Sequence, residues 1–166
     1  MRSAEGYSRA QIVLHWAIAA LMLLSFVSHE GMKDAWRAFL RATGESMGLG
    51  AWLHVISGIA ILALAAWRLG LRATRGAPSA PKGSSALMER AAAAVHWGLY
   101  AVMLGLPVTG ALAWFGGIRD LGEIHEVLFN LGLALVAIHV AAALWHQFVL
   151  RDGLLKRMVR PTAARD

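Results

Sequence analysis

Four long apolar stretches constrain the fold of this 166-residue chain more than any other feature. A bilayer core about 30 Å thick is crossed by roughly 20 helical residues, and every stretch reaches about that length. The predicted spans are residues 10–29, 51–71, 91–115 and 123–149. No segment alternates regularly between apolar and polar residues, as the strands of a membrane barrel would. The sequence therefore predicts one all-α membrane domain over residues 1–166, an integral four-helix bundle.

Three connections join the predicted spans, at residues 30–50, 72–90 and 116–122. The first is predicted to form a short surface helix with Trp36, Phe39 and Leu40 facing the lipid. The second is rich in Pro, Gly and Ser and is expected to have little structure. The third is short enough for a tight turn. Pro107 is expected to kink the third span, which membrane helices tolerate.

The distribution of cationic residues predicts how the chain is oriented. If the spans alternate, one side carries two Lys or Arg residues at the N-terminus, five in residues 68–90 and five in residues 151–166. The other side carries four: Lys33, Arg37, Arg41 and Arg119. The positive-inside rule then places both termini in the cytoplasm. The net charge of +6 follows from this topology and from attraction to anionic lipid, so it indicates no nucleic-acid partner.

Histidine is the residue type that suggests chemistry, because the chain has seven His and no Cys. His125 and His139 are separated by 14 residues of the fourth span, which is a rise of about 21 Å and about 40° short of four whole turns. Both therefore project in roughly the same direction at two depths. Depth matching pairs His54 with His125 (the outer pair) and His15 with His139 (the inner pair).

Two levels with two imidazoles each predict a particular kind of metal site. A planar macrocycle is clamped by one imidazole on each face, whereas a tetrahedral zinc site needs more ligands at one place. A di-iron centre requires a repeated Glu-x-x-His motif, and a proton relay would need a deep carboxylate partner. A nucleophilic mechanism has no Cys and no recognisable triad. The alternative is structural, with histidines that bridge helices or lie at the interface.

Other residues are predicted to surround these sites. Gly58 and Gly132 lie on the histidine-bearing faces, where a glycine admits either a bulky ring or a neighbouring helix. Arg68 and Arg72 on the inner side, and Arg119 on the outer side, are candidates to meet anionic substituents of a macrocycle. A structural alternative applies to all five, since glycines also mark tight packing and arginines also extend towards the interface.

The remaining histidines leave alternatives open. His96 lies near the inner level and is predicted to belong to the cofactor surroundings, while His29 is expected at the outer interface. His146 continues the seven-residue spacing beyond His139 and is a second candidate for the inner ligand. If His146 were the inner ligand, the inner site would lie about 10 Å nearer the cytoplasm.

Four stretches taken together resemble the bacterial cytochrome b561 family, and they cover all four spans. They are YSRAQIVLHW at 7–16, HVISGIAILALAAWRLGLR at 54–72, HWGLYAVMLGLPVTG at 96–110 and IHEVLFNLGLALVAIHVAAALWH at 124–146. This resemblance implies an inner-membrane protein with two haem b groups. It also implies that their axial ligands are His15, His54, His125 and His139, the same four selected by depth. The connection at 116–122 is shorter than in some members of the family.

Three hypotheses for function follow. The resemblance implies an electron carrier between an outer donor and quinone, in one form a quinone-linked oxidoreductase that passes electrons from superoxide to ubiquinone. Trp145 and His146 are candidates to border the quinone, or are residues of the interfacial belt. A second hypothesis is a haem b anchor subunit that links a hydrogenase or dehydrogenase partner to the quinone pool. A third, from another class, is a non-redox membrane scaffold.

Overall fold

The computed structural model describes residues 6–44, 46–81 and 83–161. Five α-helices follow one another along the chain: α1 (Arg9–Val27), α2 (His29–Arg41), α3 (Leu49–Arg75), α4 (Ala86–Trp114) and α5 (Asp120–Trp145). A π-helical turn, His146–Leu150, extends α5, and a 3-10 turn, Leu155–Met158, follows it. No β-strand occurs within these three ranges. The all-α prediction is therefore confirmed.

Four helices are long and apolar enough to cross a membrane, namely α1, α3, α4 and α5 with its π-helical extension. They overlap the four predicted spans, with differences at the ends. Residue 29, assigned to the first span, instead begins α2. The predicted loop at 72–90 is shorter, because α3 continues to Arg75 and α4 begins at Ala86. Ser85 caps α4 by accepting a hydrogen bond from the amide of Met88, which explains the early start.

The long helices pack in sequence order, with α1 against α3, α3 against α4, and α4 against α5. A buried cluster at the centre joins the first three of them: Ile18, Ile61, Ala65, Tyr100 and Met103. Large apolar side chains such as Val13 and Leu23, 65% and 64% exposed, cover the outside. Such an apolar outer surface is suited to contact with lipid, so the fold is that of a membrane bundle.

The short helix α2 is amphipathic, and two of the three residues predicted to face the lipid pack on α4. The ring centres of Trp36 and Phe39 lie 6.3 and 5.4 Å from that of Trp114, at the end of α4. Leu40 is 42% exposed and faces outward. Trp36 and Phe39 are thus half-buried against the end of α4. Aromatic packing on Trp114 accounts for their burial, and contact of their remaining surface with lipid stays a prediction.

A pair of glycines allows α2 to cross the start of α3. A Cβ atom built on Gly31 would lie 2.8 Å from the Cα atom of Gly50, so the two backbones approach more closely than any larger residue permits. This crossing anchors the N-terminal end of α2 beside the outer end of α3, which carries His54. The residues at both chain ends used to predict orientation, 1–5 and 162–166, lie outside the described ranges.

Candidate functional site

The structure brings the predicted histidines together in two pairs. In the outer pair, the ring centres of His54 on α3 and His125 on α5 lie 6.2 Å apart, with their planes at 70°. In the inner pair, the ring centres of His15 on α1 and His139 on α5 lie 6.1 Å apart, with their planes at 68°. Each pair therefore joins α5 to a helix with which it shares no extensive packing.

The separation within each pair matches what a metal held between two imidazoles requires. A ligating nitrogen lies about 2 Å from its metal and about 1 Å from its own ring centre, so ring centres on opposite sides of one metal are about 6 Å apart. Direct stacking of the rings would bring their centres closer and make their planes more nearly parallel. The two pairs thus have the spacing of axial ligands.

The helix arrangement leaves room for a ligand at the same places. Helix α5 packs along α4 but makes few close backbone approaches to α1 or α3. The histidine pairs cross this separation. Gly58, one turn beyond His54, has no atom within 4 Å of where its Cβ would be, so the space beside it is open. This open space lies on the same helix face as His54, one turn away, where a group bound at the outer pair would extend.

Hydrogen bonds settle the tautomer of both outer imidazoles. Nδ1 of His54 lies 3.0 Å from the backbone oxygen of Ser25, and Nδ1 of His125 lies 2.8 Å from that of Leu106. A carbonyl oxygen accepts and never donates, so each Nδ1 must carry the proton. The Nε2 lone pair of each ring is then free for a metal.

The inner level holds a third histidine and two arginines. The ring centre of His96 lies 5.3 Å from that of His139, so His96 belongs to the surroundings of the inner pair. The guanidinium carbon of Arg68 lies 5.8 Å from the ring centre of Tyr100, and that of Arg72 lies 5.5 Å from the ring centre of Trp97. Both arginines line a small pocket together with Tyr7, Gln11 and Tyr100.

The outer level also holds a third histidine. The ring of His29 stacks on Phe129, with centres 4.9 Å apart, and lies 5.8 Å from the ring of His54. Burial and the nearby charge of Lys33 lower the pKa of His29, so the ring is neutral at pH 7. His29 is therefore packed beside the outer pair, closer to it than the interfacial position expected from the sequence.

His146 lies apart from both pairs. Its Nδ1 is hydrogen-bonded to the carboxylate of Asp152, which follows the π-helical turn. Burial acts to raise the pKa of Asp152, but hydrogen bonds from His146 and from the amide of Leu154 outweigh it and leave that pKa below its usual value. The structure thus brings His139, and not His146, to His15. Trp145 is 56% exposed on the outside of α5.

The structure also gives the surroundings of Gly132 and Arg119. A Cβ atom on Gly132 would lie 2.8 Å from Cγ1 of Val102, so this glycine admits the neighbouring helix α4. Arg119 is exposed immediately before α5 and has no hydrogen-bond or ion-pair partner among the residues described. The same residues include no cluster of three or more His, Asp or Glu side chains suited to a bare metal ion.

Comparison with known proteins identifies the family. The family described as prokaryotic cytochrome b561 matches residues 6–161. Cytochrome b562 of Cereibacter sphaeroides is 40% identical over 161 residues, which cover 97% of this chain and 99% of that protein. The chain belongs to the prokaryotic cytochrome b561 family. The family resemblance deduced from the four sequence stretches is confirmed.

Two further relatives are more distant but equally complete. The probable superoxide oxidase CybB of Yersinia pestis is 28% identical and covers 93% of this chain and 96% of its own length. Cytochrome b561 homolog 1 of Escherichia coli strain K12 is also 28% identical and covers 92% of this chain and 96% of its own length.

Membership of the cytochrome b561 family, with four apolar helices, makes this a multi-pass electron-transfer protein of the bacterial inner membrane. The family implies haem b as cofactor. The residues present fit that group, because two imidazoles about 6 Å apart, with Nε2 free in the outer pair, are the donor set that axial ligation of haem needs.

Sequence reasoning missed the groups that orient the two outer histidines. The hydroxyls of Ser25 and Thr109 lie 3.2 and 3.3 Å from Nδ1 of His54 and His125. A Cβ atom on Gly110 would lie 2.9 Å from Cε1 of His125. One signal existed in the sequence, since Pro107 and Gly110 fall on adjacent turns of α4. Which turn faces His125 depends on the rotation of α4, which a sequence does not give.

Proposed function

We propose that this chain binds two b haems, one between His54 and His125 and the other between His15 and His139. The observation that carries the proposal is the matched geometry of the two histidine pairs, whose ring centres are separated by 6.2 and 6.1 Å. Both pairs share α5, and the 14 residues between His125 and His139 correspond to a rise of about 21 Å. The two sites would therefore lie in series across the membrane.

The bound haems would supply one-electron redox chemistry, and the protein would supply ligation, orientation and electrostatics. His139 is the favoured inner ligand, because His146 is hydrogen-bonded to Asp152 instead of lying beside His15. Arg68 and Arg72 extend from the inner end of α3 and are suited to bind the propionates of the inner haem. His96 packs beside the inner site, and His29 packs beside the outer site.

We further propose that electrons pass from a donor on the outer side to quinone. Superoxide is the proposed donor, because one relative is named a probable superoxide oxidase. Ubiquinone is the proposed acceptor: two superoxide anions would each give one electron and leave as dioxygen, and the quinone would take up both electrons with two protons. Trp145 and His146, where α5 passes into the π-helical turn, are the proposed quinone neighbourhood. An ordered His–Asp pair beside an exposed indole offers a hydrogen bond and a stacking surface to a quinone ring.

The visible spectrum of the purified protein, with haem quantified per chain, tests the central proposal. We expect a low-spin b-type spectrum and about two haems per chain, since each needs two axial imidazoles. A colourless protein would favour the non-redox scaffold. A single haem per chain would refute the assignment of both pairs.

A second experiment separates an independent oxidoreductase from an anchor subunit. The purified protein, in detergent with a ubiquinone analogue, would be supplied with enzymatically generated superoxide, and quinone reduction would be recorded. Turnover by the chain alone supports the proposed donor and acceptor. A protein that retains two haems but is reduced only when a co-purifying metalloenzyme is present would be the haem b anchor subunit of the alternative hypothesis.

A further inference from the structure

The two histidine pairs differ in the hydrogen bonds of Nδ1, the ring nitrogen that is not proposed to bind iron. Both outer imidazoles donate from Nδ1 to a backbone carbonyl, His54 to Ser25 and His125 to Leu106. Among the described residues, His15 and His139 have no hydrogen-bond partner at all. The imidazoles of the two sites therefore differ in hydrogen bonding at Nδ1, although the ring separations are nearly the same.

The contact of His125 with Leu106 depends on one glycine. The Leu106 carbonyl belongs to α4, and the His125 ring must approach the surface of that helix to reach it. A Cβ atom on Gly110 would lie 2.9 Å from Cε1 and 3.0 Å from Nδ1 of His125. Any side chain at position 110 would therefore push the ring away from the carbonyl. Thr109, whose hydroxyl lies 3.3 Å from the same Nδ1, flanks the ring on the adjacent position.

A hydrogen bond at Nδ1 changes what the imidazole does to a metal at Nε2. Donation of the Nδ1 proton to a carbonyl makes the ring a more basic ligand, which favours the more highly charged state of the metal. Ferric iron is thereby stabilised over ferrous iron. At the inner level Arg68 and Arg72 carry positive charge, with their guanidinium carbons over the rings of Tyr100 and Trp97, and a nearby cation favours the ferrous state.

We propose that Gly110 is a positioning residue of the outer site, which seats His125 against the Leu106 carbonyl and keeps the outer haem at a more negative midpoint potential than the inner haem. This inference rests on the proposed function, since it requires haem at both pairs. The resulting order of potentials favours electron flow from the outer to the inner site. The hydrogen bonds of the outer ligands would then favour the same direction of electron flow as the positions of the donor and the acceptor.

The test is a redox titration of the haem absorbance of the Gly110→Ala variant, with Gly105→Ala as control. Gly105 lies on the same helix, and its Cβ would make an ordinary 3.4 Å contact with Cδ1 of Leu128. We expect Gly110→Ala to shift the outer midpoint to a more positive value and leave the inner midpoint in place. The low-spin EPR signal of the outer haem, which reports imidazole orientation, should change with it. Gly105→Ala should change neither.

Two results would overturn the inference while leaving the proposed function intact. One is two bound haems whose midpoints are both unchanged in Gly110→Ala. The other is an outer haem with the more positive midpoint in the unaltered protein. The His54→Ala and His15→Ala variants, each retaining one haem, assign the midpoints to their sites. Failure to bind haem in the unaltered protein would instead refute the proposed function.

A second variant keeps the inference testable if Gly110→Ala loses its outer haem. Thr109→Val removes the hydroxyl beside Nδ1 of His125 and retains both the shape of the side chain and the Leu106 carbonyl. We expect a smaller positive shift of the same outer midpoint and full haem content. If Gly110→Ala lacks the outer haem and Thr109→Val leaves the outer midpoint unchanged, the inference is wrong.

Discussion

An imidazole ligates iron through one ring nitrogen while the other remains free to donate a hydrogen bond. His54 and His125 are suited to this division, because their Nδ1 atoms face carbonyl oxygens and their Nε2 atoms are left for a metal. His146 differs, since its Nδ1 faces a carboxylate at the end of the helix and no second imidazole lies within ring-contact distance among the described residues. The three residues are therefore expected to respond differently to truncation.

The first prediction concerns haem stoichiometry in alanine variants of these histidines. His54→Ala and His139→Ala should each lose about half of the haem, because an axial ligand is removed from one site only. The residual spectra should differ, since the two variants keep different haems. His146→Ala should keep both. Loss of the same haem from the first two variants would contradict the pairing.

Much of the residue-level site could be predicted from the sequence, for a geometric reason. Helical periodicity and hydropathy fix both the depth of a residue and the direction in which it projects, so they selected His54 with His125 and His15 with His139. They do not fix the rotation of one helix relative to another. The approach of His96 to His139, and the carbonyl contacts of the outer pair, depend on that rotation.

The crossing of α2 and α3 shows how a close contact between two backbones contributes to the packing of helices. Its crossing with α3 relies on Gly31 and Gly50, and a Cβ on Gly31 would lie 2.8 Å from the Cα of Gly50. Backbone atoms cannot rotate away as a flexible side chain can. We predict that Gly31→Ala destabilises the protein by about 1–3 kcal/mol, which is typical of overpacking.

Thermal denaturation followed by haem absorbance measures this effect. Gly70→Ala is the matched control, because Gly70 is also helical, within α3, and its Cβ would have no atom within 4 Å. A Gly31→Ala protein as stable as Gly70→Ala would show that α2 and α3 can move apart at the crossing without loss of stability. The sequence predicted a helix in residues 30–50 but not this crossing, since a glycine pair has meaning only after two helices are placed together.

The segment after α5 is held by a small set of polar contacts. Asp152 binds both the His146 ring and the amide of Leu154. The indole nitrogen of Trp16 donates to the carbonyl of Met158, at 2.8 Å, and Arg157 donates to that of Ser79, also at 2.8 Å. These contacts return the chain to α1 and to the connection between α3 and α4.

We predict that Asp152→Ala loosens this segment and speeds tryptic cleavage after Lys156 and Arg157. Loss of two hydrogen bonds, at about 1 kcal/mol each, corresponds to roughly a thirtyfold increase in the cleavage rate. Mass spectrometry of the C-terminal fragments provides the measurement. Asp120→Ala, at the opposite end of α5, should leave the rate unchanged. Equal rates in all three proteins would mean that Asp152 does not hold the segment.

The arrangement of the whole molecule follows from what each helix can bury. Helices α1, α3 and α4 share an apolar core, whereas α5 packs on α4 and meets α1 and α3 through its histidines and through the stack of Phe129 on Phe26. Hydropathy predicted four helices that cross the membrane, but it could not predict which of them would lie outside the shared apolar core. That separation leaves space for the planar groups that the histidine pairs are proposed to hold.

The last prediction tests orientation, on which the terms outer and inner depend. The chain has no cysteine, so a single introduced thiol reports its own side of the membrane. Ser46 lies in the connection before α3 and Ser79 in the connection before α4, and both are exposed. The excess of Lys and Arg in residues 68–90 and 151–166 places Ser79 in the cytoplasm and Ser46 outside. A membrane-impermeant maleimide should therefore label Ser46→Cys, and not Ser79→Cys, in intact spheroplasts. Inverted vesicles should give the opposite result. If Ser79→Cys is labelled in spheroplasts instead, the site of His54 and His125 would face the cytoplasm. The proposed donor would then have to approach from the cytoplasm.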